Sequence, residues 1–254
     1  MSKIITIAGQ KGGIGKSVTA VNLAASFALS EKKTLLVDCD PQGSSTRWCG
    51  IKDEDHSSDM ASVLSARATV AHAINKTLLN YLDIIPAGFT LFQASLKIAE
   101  NPGNEKLLRL FLKDVDDKYE YIIIDPPSSY GFLSAAAMTA SDFLLVCMSV
   151  KQNSREDFHN LLKMVKFIRS NYSVSLKISG FLFTQCQSKE EIISFLDNHD
   201  LLKIQQMVFT SFIPEDIKIK ESNDLRKPLL LYDIKSKAAK AYLNLAGELH
   251  SFLN

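Results

Sequence analysis

The sequence predicts an α/β protein with a doubly wound, mostly parallel sheet flanked by helices. Two observations predict this fold. Short apolar runs typical of β-strands alternate with helical patterns along the chain, as in sheets built from strand–helix–strand crossovers. The 254 residues are 46% apolar, which is enough for one large domain with a sizeable core. Because no repeat or low-complexity tract interrupts this alternation, we expect a single domain over residues 1–254.

The strand-like runs come in a regular order. They cover residues 3–8, 34–38, 82–86, 121–125, 143–148, 176–184 and 206–213. The clearest helical pattern between them begins at Ser154, a predicted N-cap because Asp157 follows three residues later. The apolar residues of this helix recur at helical spacing, and they are Phe158, Leu161, Leu162, Val165 and Ile168. The polar stretch 53–59 predicts a loop.

A glycine-rich turn, Gly9-Gln-Lys-Gly-Gly-Ile-Gly-Lys-Ser17, joins the first strand to a helical pattern over residues 18–28. Glycines let backbone N–H groups turn inward, and the helix N-terminus adds positive potential, so the turn predicts a phosphate cradle. Lys16 would neutralise the outer phosphates, and the Ser17 hydroxyl can ligate Mg²⁺. The predicted nucleotide-binding residues of this turn are Lys11, Gly12, Gly13, Ile14, Gly15, Lys16, Ser17 and Val18.

Two further strands end in carboxylates, at Asp38-Cys-Asp40 and at Asp125. In a parallel sheet, such residues project into the crevice where ligands bind. Asp125 is suited to hold a water molecule that is itself a ligand of Mg²⁺. Asp38 and Asp40 share a face of an extended chain, so one can hold the waters of the metal and the other can orient the attacking water. Our hypothesis places Asp38 at the metal, with Ser17 and Asp125, and Asp40 at the water.

These motifs resemble the ParA/Soj branch of the ParA–MinD ATPases, which carry a deviant Walker A form of the P-loop. The position five residues before Gly15, where the ordinary motif has glycine, is Gln10, and a second lysine, Lys11, stands at the start of the loop. The segments 82–87, 212–214 and 227–242 also match the family. The chain departs from its pattern at Val18, where threonine is usual, and at Glu215-Asp216, where a basic residue is frequent.

The resemblance implies a Mg²⁺-dependent ATPase that is slow without a partner and has ATP and Mg²⁺ as cofactors. Lys11 is expected to reach across a nucleotide-sandwich homodimer into the phosphates of the partner, so we count Lys11, Lys16 and Asp40 as catalytic. Contacts to the adenine base are expected from Thr184, Gln185 and Pro214. A ParB-like or cargo adaptor would stimulate hydrolysis and link the dimer to a plasmid, chromosome or protein complex.

Nonspecific DNA binding is the least direct of these expectations. The formal net charge of +1 gives no global attraction to phosphates, so binding requires a local basic surface. The candidate contacts are Lys163, Lys166, Arg169, Lys218, Lys220, Arg226 and Lys227. Glu215 and Asp216 oppose them. With DNA as partner, the protein would be cytoplasmic and associated with the nucleoid.

Three alternatives differ in the partner. A MinD-like membrane switch requires a basic amphipathic C-terminal helix, but residues 245–254 contain no Lys or Arg. A carrier of the nitrogenase iron protein type requires paired cysteines, and the four cysteines are scattered. A ParA-like switch acting on a protein surface without DNA stays open. The sequence has neither an apolar stretch of about 18 residues nor a secretion signal, so neither a membrane span nor secretion is expected. A membrane partner is not expected either, because the tail lacks Lys and Arg.

Overall fold

The computed structural model describes residues 1–52, 57–172 and 175–254, and within them seven strands form one sheet. The strand order is β3-β4-β2-β5-β1-β6-β7. All neighbours are parallel except the β3–β4 pair. The strands are β1 (Lys3–Ala8), β2 (Thr34–Asp38), β3 (Asn75–Lys76), β4 (Leu82–Ile85), β5 (Tyr121–Asp125), β6 (Phe143–Ser149) and β7 (Lys177–Thr184).

Helices connect the strands and cover both faces of the sheet. They are α1 (Lys16–Leu29), α2 (Ser44–Trp48), α3 (Met60–Leu64), α4 (Val70–Ala73), α5 (Thr90–Ala99), α6 (Leu107–Leu112), α7 (Phe132–Ala140), α8 (Arg155–Asn171), α9 (Lys189–Asn198), α10 (Ile217–Asp224), α11 (Leu229–Tyr232) and α12 (Lys237–Leu253). Short 3₁₀ turns cover Asn104–Lys106, Lys113–Val115 and Leu202–Met207. In the described ranges no helix is both long and apolar enough to cross a membrane.

The central strands alternate their side chains between two cores. In β2, Leu36 packs in the core that α1 and α12 cover, whereas Leu35 and Val37 pack in the core that α3 and α5–α7 cover. In β5, Ile123 faces the first core and Ile122 the second. Because both faces are buried, these strands are apolar throughout, as is usual for parallel sheets. A third core joins β6 and β7 to α8 and α9.

The doubly wound, mostly parallel sheet predicted from the sequence is confirmed. The strands over residues 3–8, 34–38 and 121–125 have the predicted bounds, and those near 82–86, 143–148 and 176–184 differ by one residue at one end. Helix α8 begins with the predicted capping box, in which Ser154 and Asp157 each accept the other's backbone N–H. Of the predicted loop 53–59, residues 53–56 lie outside the described residues.

The predicted strand over residues 206–213 is wrong. This segment starts in a 3₁₀ turn and then pairs with β7 only at two isolated bridges, Phe181–Val208 and Thr184–Ile213. Between the bridges, the N–H groups of Thr210 and Ser211 donate to the Glu248 carboxylate of α12, both at 2.7 Å. The Glu248 side chain of α12 therefore binds two backbone N–H groups that a strand would use to pair with its neighbour.

Gly180 of β7 lets this segment approach the sheet edge. A Cβ atom at position 180 would lie 2.9 Å from the carbonyl oxygen of Met207 and 2.8 Å from the Phe209 ring. We therefore expect Gly180→Ala to destabilise the fold by about 1–3 kcal/mol, because the backbone of residue 207 would have to move. Chemical denaturation measures this change through its midpoint.

Gly247 provides the matched control. It lies inside α12, and a Cβ atom there would meet no atom within 4 Å outside the helix backbone. Gly247→Ala should stabilise the protein by about 0.5–1 kcal/mol, because alanine favours a helix interior over glycine. Equal effects of the two substitutions would contradict the close approach at Gly180.

Candidate nucleotide site

A cavity of about 770 Å³ lies at the carboxyl edge of the sheet. One part of its wall is the glycine-rich turn, with Gly13 and residues 15–18. Asp40 from the turn after β2 forms another part, and Thr184, Gln185 and Pro214 form a third. Four segments that are far apart in sequence therefore meet at one cavity. Ligands of open parallel sheets bind at this edge.

The turn before α1 has the backbone of a phosphate cradle. Gly13 and Gly15 have φ angles of +80° and +86°, which side-chain-bearing residues rarely adopt. Lys16 is only 5% exposed, and its Nζ donates to the carbonyl oxygen of Lys11 at 3.1 Å and to the Ser128 hydroxyl. Burial lowers the pKa of Lys16, while the nearby Asp125 carboxylate opposes that shift. A buried ammonium group with two neutral partners is well placed for an anion.

Asp125 is fully buried, and its two carboxylate oxygens differ. Oδ2 accepts a hydrogen bond from Ser45 at 2.7 Å, whereas Oδ1 has no partner among the described residues. Burial raises the pKa of Asp125 to about 6, against the opposing effects of Ser45, Ser17 and Lys16. A free carboxylate oxygen beside the Ser17 hydroxyl fits one side of a Mg²⁺ shell, because Mg²⁺ prefers oxygen ligands and waters.

Asp38 pairs in register with Asp125, and like Asp125 it is fully buried and does not line the cavity. Its Oδ1 accepts from the N–H of Asp40 at 3.0 Å, and its Oδ2 accepts from the N–H and the hydroxyl of Thr46 at 2.9 and 2.8 Å. Burial, and next the Asp125 charge, raises the pKa of Asp38 to about 8. These hydrogen bonds hold the Asp40 turn and α2 in place.

In the described ranges, no group of three or more His, Cys, Asp or Glu side chains could hold a metal ion by itself. Mg²⁺ at Asp125 and Ser17 would therefore depend on nucleotide oxygens and waters for the rest of its shell, which is its usual mode of binding.

The two lysines of the loop have different surroundings. Lys11 does not line the cavity, and its side chain is 40% exposed. Its Nζ donates to the carbonyl oxygen of Gln152 at 2.6 Å and pairs with the Asp157 carboxylate at 2.8 Å. Partial burial would raise the pKa of Asp157, but hydrogen bonds from Lys11 and Ser154 outweigh it and lower that pKa. Lys11 is thus held against the start of α8, outside its own phosphate cradle.

The residues expected near the base also support the loop. The Thr184 hydroxyl donates to the carbonyl oxygen of Ile14 at 2.7 Å. The Gln185 amide donates to the carbonyl oxygen of Gly13 at 2.9 Å. Ile14 itself is in the core, and neither it nor Gly12 lines the cavity. Any contact of Ile14 or Gly12 with a nucleotide would therefore be made by its backbone N–H group.

The chain is similar to known proteins over almost its whole length. A family model described as an AAA domain matches residues 2–178. The chromosome partitioning protein ParA of Myxococcus xanthus is 34% identical over 98% of this chain and 88% of its own length. The sporulation initiation inhibitor protein Soj of Bacillus subtilis is 35% identical over 98% of both.

The chain belongs to the ParA/Soj family.

Two solved structures show the same fold. An McdA variant from Cyanothece in complex with ATP has a TM-score of 0.86 at 20% identity and covers 98% of this chain and 96% of its own. The septum site-determining protein MinD from Pyrococcus horikoshii, complexed with Mg-ADP, has a TM-score of 0.82 at 23% identity, with 100% and 98% covered.

Several residues of this ParA/Soj-family site are absent from the sequence-based prediction. Ser45, Thr46 and Ser128 make the hydrogen bonds to Asp125, Asp38 and Lys16 described above. Glu215, predicted only to oppose DNA binding, lines the cavity and pairs with Lys151. The three hydroxyl residues follow the aspartate motifs closely in sequence, and this proximity could have been used to predict them. Glu215 gave no such signal, because its partner is 64 residues away.

The candidate DNA contacts lie on separate elements of this ParA/Soj-family chain. On α8, Lys163 and Lys166 are exposed, and Arg169 donates to the carbonyl oxygen of Leu176 at 2.7 Å. On α10, Lys218 is paired with Glu221 at 2.8 Å and lies over the Tyr232 ring. The remaining three candidates differ in place: Lys220 lines the cavity, and Arg226 and Lys227 are exposed after α10.

Proposed function

We propose that this chain is a ParA-type ATPase that binds ATP with Mg²⁺, forms a nucleotide-sandwich dimer and hydrolyses ATP slowly until a partner stimulates it. The observation that carries the proposal is the convergence of Lys16, Ser17 and Asp40 at one cavity, with the buried Asp125 carboxylate close to Lys16 and Ser17. ATP and Mg²⁺ come from the family membership and from the ligands of the related McdA and MinD structures.

The proposed roles follow from what each group contacts. Phosphate oxygens would replace the Lys11 carbonyl and the Ser128 hydroxyl around Lys16, so the buried charge gains an anionic partner. Ser17 and the free oxygen of Asp125 would hold Mg²⁺, which neutralises phosphate charge when bound. Asp40 would orient the attacking water. We assign Asp38 to positioning Asp40, because its carboxylate already binds the Asp40 N–H.

Dimerisation is proposed to depend on Lys11. This side chain lies outside its own cavity, so it is free to serve the phosphates of a partner once it leaves Asp157. Positive charge supplied in trans would stabilise the charge that develops on the phosphates, as an arginine finger does. Loss of the γ-phosphate would then remove the contact that holds the dimer, which gives a switch.

The partner is proposed from family membership and charge. Relatives are named for chromosome partitioning, and Arg226 and Lys227 are exposed, so we propose nonspecific DNA binding by the dimer and positioning of a cargo through an adaptor. The second candidate is a switch that acts on a protein surface without DNA. This candidate is favoured because Lys218 is already paired with Glu221 and because the acidic Glu215 lines the cavity.

Lys16→Ala should reduce Mg²⁺-dependent ATP turnover by about 100-fold or more, because none of the other cations that line the cavity in the described ranges is buried and could replace its charge. Phosphate release with purified protein measures this. Lys113→Ala, which changes an exposed lysine outside the cavity, should hydrolyse ATP like the wild type. Equal turnover in the Lys16 and Lys113 variants would remove the P-loop assignment.

Asp40→Ala and Lys11→Gln should separate dimer formation from hydrolysis. With ATP, Asp40→Ala should form a stable dimer because it lacks the group that orients water, and Lys11→Gln should stay monomeric because it lacks the contact in trans. Light scattering measures both. Asp157→Asn removes the intrachain partner but keeps Lys11, so it should dimerise at least as well as wild type. A dimeric Lys11→Gln protein would refute the role in trans.

DNA binding is tested with the trapped Asp40→Ala dimer and a fluorescent duplex of arbitrary sequence. Fluorescence anisotropy with ATP should show binding that weakens steeply with salt. Arg226→Ala and Lys227→Ala should each lower the slope of log affinity against log salt by about 1, whereas Lys97→Ala on α5 should not change it. If the trapped dimer does not bind at low salt, the protein-surface switch replaces the DNA model. Anionic vesicles in the same assay test the MinD-like alternative.

A further inference from the structure

Side chains from two other loops contact the glycine-rich turn. Residues 150–154 connect β6 to α8, and Gln185 directly follows β7. Gln185 Nε2 donates to the carbonyl oxygen of Gly13 at 2.9 Å, and Gln152 Nε2 makes a longer contact with the same oxygen at 3.5 Å. A Cβ atom on Gly13 would lie 3.6 Å from the Gln152 amide. Two glutamine amides therefore converge on one peptide of the turn.

The Gln185 amide has little capacity left for a nucleotide base. Its Oε1 accepts from the Ser149 hydroxyl at 3.0 Å and from Gln152 Nε2 at 3.2 Å. Together with the bond to Gly13, these contacts use both acceptor positions and one of the two donor positions of the amide. The contacts that Gln185 makes therefore connect it to the phosphate loop and to the end of β6.

The backbone of Gln185 is also unusual. Its φ angle is +58°, in the left-handed region that glutamine rarely adopts. Such conformations persist where surrounding contacts fix them, and they are frequent at functional sites. The hydrogen bonds of the Gln185 side chain are contacts of this kind, because they join three separate segments of the chain.

Peptide geometry links these contacts to anion binding. In a trans peptide, the carbonyl and the following N–H point in opposite directions. Because the Gly13 carbonyl is bound to Gln185, the N–H of Ile14 points to the opposite side of that peptide. The Thr184 hydroxyl fixes the next peptide in the same way, by donating to the Ile14 carbonyl at 2.7 Å, and so it directs the N–H of Gly15.

The two N–H groups that are oriented in this way have no acceptor within the protein. In the part of the chain that the structure describes, neither the N–H of Ile14 nor that of Gly15 donates to another residue. Successive free N–H groups before a helix N-terminus are the donors that a phosphate cradle uses.

We propose that Gln185 and Gln152 are positioning residues of the phosphate loop, which hold the Gly13 carbonyl so that the Ile14 N–H stays directed at a phosphate oxygen. This inference rests on the ATPase function proposed above, and it assigns Gln185 to the phosphate end of the cavity instead of the base end. Donors that are already oriented bind an anion more tightly, because no reorganisation of the loop is needed when the anion arrives.

Binding of ADP and of inorganic tripolyphosphate, both with Mg²⁺, tests this assignment, because tripolyphosphate has phosphates but no base. Calorimetry on the full-length protein measures both. Gln185→Met removes the amide without adding charge, and it should weaken the binding of both ligands by the same factor, about three- to tenfold. Gln152→Met should weaken both less, because its contact is longer. This variant keeps the backbone carbonyl that accepts from Lys11.

Gln187→Met is the matched control. Gln187 lies two residues after Gln185, does not line the cavity, and donates to Glu215 at 3.3 Å, so this variant should bind both ligands like the wild type. In steady-state hydrolysis, Gln185→Met should raise the KM for ATP by the factor seen in binding and leave kcat within about twofold, because the loop holds the phosphates before and during the reaction.

The proposal is overturned if Gln185→Met weakens the binding of ADP alone, since that result would place Gln185 at the base. It is also overturned if the folded Gln185→Met protein binds both ligands like the wild type, or if Gln187→Met loses as much affinity. All three results leave the ATPase proposal intact, provided that the wild type binds ADP. A wild type that binds neither ligand would refute the ATPase proposal and this inference together.

Discussion

The burial of three ionisable side chains at one edge of the sheet is the constraint on which the site depends. Lys16 is 5% exposed, and Asp38 and Asp125 are fully buried in adjacent strands. Charged groups removed from water are tolerated only when hydrogen bonds and opposite charges offset the loss of hydration. The loops around this edge are arranged to supply those partners, and their conformations follow from that requirement.

Asp38 shows how this constraint organises the surroundings. Its carboxylate binds the N–H of Asp40 and both donors of Thr46, and the Thr46 hydroxyl accepts from the N–H of Ala87. One buried carboxylate thus fixes the turn after β2, the first turn of α2 and the chain after β4. A change in charge at the neighbouring Asp125 would act on all three segments, because the two carboxylates raise each other's energy when both are ionised.

The same requirement explains why Lys11 and Lys16 behave differently although they share one loop. Lys16 extends into the buried edge of the sheet, where its only hydrogen-bond partners are neutral, whereas Lys11 points outward and contacts Asp157 and Gln152. That outward contact joins the phosphate loop to the first turn of α8. Within one chain, Lys11 has an acidic partner of its own, so a role in a second subunit requires exchange of one ion pair for another.

The sequence alone determined the alternating elements of the sheet, the phosphate loop and the strand-end aspartates, because these depend on local periodicity and on glycine and capping chemistry. Through resemblance it also singled out Thr184, Gln185 and Pro214, which line the cavity in the structure. Only the tertiary structure decided that the Asp38 carboxylate holds the Asp40 turn, that Thr210 and Ser211 give their N–H groups to Glu248, and that the Trp48 Nε1 lacks a partner among the described residues. The strand β3 was not predicted from the sequence, because two residues are too few to show the alternation of side chains that is typical of a strand. These features depend on contacts between residues distant in sequence, which no local pattern encodes.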